Sequence, residues 1–247
     1  MLYCCPLVFT LEIWLKNCMA KILIFDTSES FLSLALIVDD RISDHQSIHA
    51  PRRHGDLLLP MINDMLTSAE LELHQLDAIA VSIGPGAFTG IRIGVSIAQG
   101  LAYGAQIPCI PLITLEGWAM AAFAAEIEGP LLVGLDARMG EVYAGVYNLT
   151  TTHELEILEE PACIQPEMLT QWAEQYANKQ QLQKLCLVGS ATGLFQEVEQ
   201  PMFLCRPEIQ CQAQDYAALA LQSWATKLTI PAAEIDALYL RAPVQAS

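Results

Sequence analysis

The order of strand-like and helix-like runs is stated twice along these 247 residues. In the first half, 21–26, 31–38 and 41–49 read as three strands, with Asp39-Asp40 as the tight turn between the last two. A helix is expected over 55–69, where Leu57, Leu58, Met61, Ile62, Met65 and Leu66 form one apolar stripe. Pro60 should kink it or mark its first turn. A strand over 77–83, a helix over 90–104 and a strand near 107–113 follow. The second half repeats that order without repeating the sequence. Strands are expected at 130–138, 141–148 and 154–159, a helix at 167–178, a strand at 184–189, and helices near 194–199 and 214–227. Two βββαβα units in tandem predict an α/β protein of two duplicated lobes. Asp26 ends the first strand of one unit and Asp136 the first strand of the other, where a two-lobed phosphotransferase would hold metal and phosphate.

The most distinctive local stretch is Gly84-Pro-Gly-Ala-Phe-Thr-Gly-Ile-Arg-Ile-Gly94. An apolar strand runs into a glycine turn and then into a helix, with Thr89 as the expected N-cap. It fails as a phosphate loop. No Lys follows the last glycine, as a Walker loop needs, and the glycines are spaced GxGxxxG rather than GxGxxG. On a helix, Gly90, Gly94, Ala98 and Ala102 form one ridge of small residues, and Ser96, Gly100 and Gly104 a second. Interior glycines each cost about 1 kcal/mol relative to Ala, so close approach of another backbone is expected to offset them. Arg92 and Gln99 interrupt the apolar run, which excludes a transmembrane pairing motif.

Charge narrows the function further. Twelve Lys and Arg stand against 28 Asp and Glu, a formal net charge of −16. That balance opposes direct nucleic-acid binding, which needs clustered cations. The eight cysteines contain no CxxC pair, which fits reduced thiols in a cytoplasmic protein. Residues 1–18 are apolar, but Glu12 interrupts them and no basic residue precedes them. They make a poor signal peptide and are too short to span a bilayer. They read as a disordered extension or an upstream start artefact, with Met19 as the natural beginning. His45 and His49 lie on an expected strand, where four residues span about 13 Å, too far to share an ion. His54 and His74 fit no HExxH pattern.

Five ordered motifs carry a resemblance to a known family: Ile24-Phe-Asp-Thr-Ser28, His49-Ala-Pro-Arg-Arg-His-Gly55, Gly84-Pro-Gly-Ala-Phe-Thr-Gly-Ile-Arg92, Asp136-Ala-Arg-Met-Gly-Glu-Val-Tyr143 and Leu238-Tyr-Leu-Arg241. Together they closely resemble the TsaB (YeaZ) family, bacterial proteins of tRNA threonylcarbamoyladenosine synthesis. The resemblance runs from about Met19 to Arg241. It implies an actin/hexokinase/Hsp70-like (ASKHA) fold with one lobe over 19–113 and a reduced second lobe over 114–247. It implies a non-catalytic subunit that dimerises with and activates TsaD in threonylcarbamoyl transfer to N6 of adenosine 37, in tRNAs reading ANN codons. The ATPase TsaE would join the assembly, tRNA would be reached only through the complex, and a homodimer could form in isolation.

TsaD-type relatives carry a His-Leu-Glu-Gly-His segment whose histidines bind a metal. The comparable stretch here is Thr114-Leu-Glu-Gly-Trp118, so both ligand positions have changed and no metal is expected. Glu116 then reads as a helix-start residue. By resemblance, the partner interface falls on Leu57, Leu58, Met61, Ile62, Met65, Gly86, Phe88, Thr89, Gly90, Arg92, Gly94 and Ala98. Asp26-Thr27-Ser28 resembles the superfamily's first phosphate hairpin without its usual glycine. Asp136-Ala-Arg138 puts a bulky Arg in the second, and Val188-Gly-Ser-Ala-Thr-Gly193 weakly resembles its adenosine-contacting turn. A vestigial nucleotide cleft and an empty one both remain open. Arg52, Arg53 and His54 form the densest basic cluster, either a solvated loop or a contact for TsaE or a nucleotide phosphate. No cofactor is required of this chain, although ATP or ADP could sit where it meets TsaE. A stand-alone ATPase, kinase or metallopeptidase of the same superfamily is the alternative.

Overall fold

The computed structural model describes residues 19–138, 140–182, 184–195 and 203–240. The reading of 1–18 lies outside them. In the first sheet, β1 (Ile22–Asp26), β2 (Phe31–Val38), β3 (Arg41–His49), β4 (Ala78–Gly84) and β5 (Cys109–Ile113) are ordered β3-β2-β1-β4-β5. β1 and β2 are antiparallel, as are β2 and β3, whereas β1 with β4 and β4 with β5 are parallel. The second sheet contains β6 (Leu131–Arg138), β7 (Glu141–Leu149), β8 (Leu155–Ile164), β9 (Leu185–Val188) and β10 (Phe203–Cys205). Its order, β10-β9-β6-β7-β8, is the same pattern with the same strand directions. Duplication is therefore visible in topology, as the sequence order predicted.

The helices follow the pattern of apolar side chains. α1 (His54–Ser68) buries Leu58, Ile62, Met65 and Leu66. Pro60 lies inside it on the exposed side, so it does not mark the first turn. α2 (Phe88–Ala105) begins one residue after Ala87, which takes the N-cap position in place of the expected Thr89. Both helices pack with β1, β2 and β4 around one core that includes Leu23, Phe25, Leu34, Leu58, Met65, Val81 and Val95. α3 (Thr114–Ala124) follows β5 directly. In the second sheet, α4 (Pro166–Gln180) supplies Leu169, Ala173 and Tyr176 to a separate core with Leu132, Val146 and Leu187. α5 is described over Thr192–Phe195, and the rest of the helix expected near 194–199 lies outside the described residues; β10 was not expected, and the helix expected over 214–227 is a 3-10 turn (Ala213–Tyr216) leading into α6 (Ala217–Ala225).

The expected boundary between lobes at 113/114 needs correction. The chain divides into one unit holding 19–117 with Gln212–Leu238, and another holding Trp118–Cys211 with residues 239 and 240. Specific bonds tie the late segment to the first sheet. The Ala213 amide donates to Ser33 Oγ at 2.9 Å, and Ile230 pairs with Cys109 beyond β5. The Leu238 amide donates to the Ile83 carbonyl at 2.8 Å. Lobe one is thus discontinuous in sequence.

Candidate functional site

The first hairpin, Asp26-Thr27-Ser28, follows β1 and is buried. Asp26 Oδ1 accepts the Ser28 amide at 2.7 Å and the Ser82 hydroxyl, and Oδ2 accepts the Tyr216 phenol at 3.0 Å. A buried carboxylate is tolerable only when its oxygens are satisfied in this way. Thr27 Oγ1 donates to the Gly90 carbonyl at 2.8 Å, and the Ala87 amide donates to the Ser28 carbonyl at 2.6 Å. The glycine helix is seated directly on this hairpin. A Cβ on Gly90 would fall 2.1 Å from the Thr27 carbonyl oxygen, one on Gly94 2.4 Å from Thr27 Oγ1, and one on Gly86 2.6 Å from the Ser28 carbonyl oxygen. The close backbone approach predicted for the ridge exists, and it lies inside the chain.

That geometry corrects much of the expected interface. Leu58, Ile62 and Met65 of α1, and Gly90, Gly94 and Ala98 of α2, are buried in their own lobe, and Gly86 is pressed against Ser28. Leu57 and Met61 are half-buried against the same core. Phe88, Thr89 and Arg92 face outward, with the Arg92 guanidinium 3.9 Å over the Phe88 ring. The outward side of α2 continues through the second small ridge, Ser96, Gly100 and Gly104, with Tyr103 at 75% exposure. Leu59 of α1 is also exposed.

The second hairpin is different. Asp136 Oδ1 accepts the Arg138 amide at 2.8 Å, and its Oδ2 pairs with the Arg138 guanidinium at 3.2 Å. The Asp136 amide donates to Ser190 Oγ at 3.1 Å. Arg138 is exposed and adopts the left-handed φ of 61°. The 188–193 turn backs this loop: Gly189 has φ 103°, and a Cβ there would lie 2.2 Å from the Gly134 carbonyl oxygen. Thr192 Oγ1 donates to the Gly189 carbonyl at 2.8 Å.

The basic cluster is split. Arg52 and Arg53 are exposed, whereas His54 is buried at the start of α1 with Nε2 3.3 Å from the Phe31 carbonyl oxygen. Thr114 and Trp118 are buried, and Glu116 lies in the first turn of α3. His45 and His49 lie on edge strand β3, as expected. Burial pushes the Cys109 and Cys186 thiols up to about 11, keeping them protonated and unreactive. No group of three or more potential metal ligands occurs among the described residues. No helix among them is long and apolar enough to cross a membrane. Sequence reasoning missed Ser82 and Tyr216, the side chains that close on Asp26. Ser82 stands out only as the polar residue in the apolar run of β4, and nothing in the sequence ties Tyr216 to a residue so distant in the chain.

Two sheets of identical order, each with an aspartate at or near the end of its first strand, define a duplicated actin/hexokinase/Hsp70-like protein. Comparisons narrow that class. The family model described as "TsaD: tRNA N6-adenosine threonylcarbamoyltransferase" matches residues 41–240. The tRNA threonylcarbamoyladenosine biosynthesis protein TsaB of Escherichia coli K12 is 33% identical over 224 residues, covering 90% of this chain and 94% of that protein. The Haemophilus influenzae TsaB is 33% identical over 228 residues, covering 89% and 93%. The solved structure of YeaZ from Pseudomonas aeruginosa superimposes with a TM-score of 0.79 at 31% identity, covering 90% of this chain and all of that one. The chain belongs to the TsaB (YeaZ) family of tRNA threonylcarbamoyladenosine biosynthesis proteins.

Proposed function

We propose that this chain is a non-catalytic, activating subunit of the assembly that transfers threonylcarbamoyl to N6 of adenosine 37 in tRNAs reading ANN codons. The observation that carries this reading is the closed first hairpin. Both oxygens of Asp26 are taken by donors of the chain itself, and the α2 backbone rests on Thr27 and Ser28. A carboxylate so engaged has little to offer a metal ion or a phosphate-bound cation. Thr114 and Trp118 in place of two histidines support the same conclusion for the other site.

The activating role requires a partner, here a TsaD-type catalytic subunit. The outward side of α2 offers Phe88, Arg92 and Tyr103 around small residues that permit close helix approach. In isolation the same side would pair two copies of the chain. The charge of −16 supports contact with tRNA only through the partner. A TsaE-type ATPase would join the complex in the cytoplasm. Arg52, Arg53 and the Asp136–Arg138 hairpin are the groups nearest in chemistry to a contact with it or with ATP or ADP at that junction. The chain itself requires no cofactor in this reading.

Reconstitution with purified TsaD- and TsaE-type proteins, threonylcarbamoyl donor and unmodified tRNA tests the proposal. Modification should require this chain, and the chain should co-elute with the TsaD-type subunit. Full modification in its absence would overturn the reading, and ATP turnover by the isolated chain would favour a stand-alone enzyme.

A further inference from the structure

Tyr216 is fully buried, yet it is not there for its ring alone. Phenylalanine would fill the same space, whereas a buried phenol needs a partner. The partner is Asp26 Oδ2 at 3.0 Å, at the end of β1. The ring has room because residue 117 is glycine: a Cβ there would lie 2.1 Å from Tyr216 Cε1. The turn that delivers Tyr216 is itself fastened to the sheet by the Ala213 amide on Ser33 Oγ.

From Asp26 the coupling continues through covalent chain and short contacts. Thr27 and Ser28 follow Asp26 immediately, and they bond the Gly90 carbonyl and the Ala87 amide. Gly86, Gly90 and Gly94 leave no slack between that hairpin and the helix. Packing this tight passes a displacement on rather than absorbing it. The other side of the same turns carries Phe88, Thr89 and Arg92.

We propose that Tyr216 is a positioning residue: through Asp26 it fixes the hairpin on which α2 is seated, and so holds the outward side of α2 in its partner-binding pose. The inference rests on the reading above that this side binds a TsaD-type subunit. It gives the late segment 212–238, which returns to lobe one, a role in recognition without contact to the partner.

Tyr216→Phe removes only the hydroxyl. In the free chain, exchange of the Ala87 and Ile91 amides should quicken by about tenfold, and the Kd for the TsaD-type partner should weaken by about tenfold. Leu221→Ala serves as the control, because it removes buried apolar bulk from the same segment and leaves Tyr216 and Asp26 in place. At temperatures well below either transition, the control should leave both readouts at wild-type values. Wild-type exchange and Kd in Tyr216→Phe would overturn the proposal, as would equal shifts in both variants. If the wild-type chain fails to bind the partner, the functional reading fails and the claim about the docking face goes with it. The exchange measurement would still decide whether Tyr216 holds α2.

Discussion

The two lobes build the same hairpin and treat it in opposite ways. In lobe one, the loop after β1 is buried, and its aspartate accepts a backbone amide, a serine and a tyrosine from elsewhere in the lobe. In lobe two, the aspartate lies half-buried near the end of β6, and it is answered by an exposed arginine two residues along. One hairpin has become a structural joint that seats a helix. The other retains an ion pair with an exposed arginine, and the Asp136 amide is tied to Ser190. Identical topology therefore does not imply identical use. What differs is which side chains the rest of the lobe brings to the loop.

The largest expected effect tests that contrast at its glycines. Gly90→Ala would force a Cβ into the Thr27 carbonyl, a backbone atom that cannot swing aside. A loss of about 3 kcal/mol or more in unfolding free energy is expected. Gly193, beside the second hairpin, has nothing within 4 Å of a Cβ and lies in α5. Gly193→Ala should change stability by less than about 1 kcal/mol, with a gain favoured by helix propensity. Chemical denaturation of both variants checks the pair, and equal losses would break the distinction between a joint and an open loop.

The same glycines show what could be read from the sequence and what could not. Residues 31–38 form an apolar run, and the Asp39-Asp40 turn separates it from 41–49, so β2 and β3 were legible to the residue. The four-residue spacing of Gly90, Gly94 and Ala98 correctly announced a close backbone contact. It could not say whether the contacting backbone belongs to the chain or to a partner, because both demand the same small side chains. Here Thr27 supplies it. The outward face of α2 carries Arg92, Ser96, Gly100 and Tyr103 at the same helical spacing, so spacing alone does not say which face meets the chain. The return of 212–238 to lobe one was not legible either. It depends on single bonds such as Tyr216 to Asp26, which leave no periodic trace. His54 looked basic beside two arginines, but the apolar stripe of α1 carries it inward.

A smaller effect should appear with pH, and in lobe one. Burial pushes the Asp215 carboxyl up to about 6 from its ordinary 3.8, although its acceptance of the Gln212 amide opposes the shift. The folded state keeps this proton to higher pH than the unfolded chain does. Stability is therefore highest below 3.8 for this group and falls as pH rises through about 6. Asp215→Asn keeps an oxygen for the Gln212 amide and removes the half-buried charge. It should stabilise the protein at pH 7 on the order of 2 kcal/mol and flatten the decline between pH 4 and 7. Because Asp215 sits beside Tyr216, an unchanged pH profile would show that the turn closing the first hairpin is not under this electrostatic load.

The smallest expected effect concerns the open hairpin. Arg138 holds a left-handed φ of 61°, a conformation that costs a non-glycine residue roughly 1–2 kcal/mol. In return it makes an exposed ion pair with Asp136, and such pairs contribute about 0–1 kcal/mol. Arg138→Gly relieves the first term and loses the second, while the glycine adds chain entropy to the unfolded state. These contributions nearly cancel, so the thermal midpoint should be unchanged within about 0.5 kcal/mol of stability. A clear loss would mean that the arginine is as structural as Tyr216, and the two hairpins would then differ only in how they are locked. A silent substitution would leave the arginine unexplained by folding. Its effect on the reconstituted modification would then become the measurement that separates a joint in lobe one from a contact in lobe two.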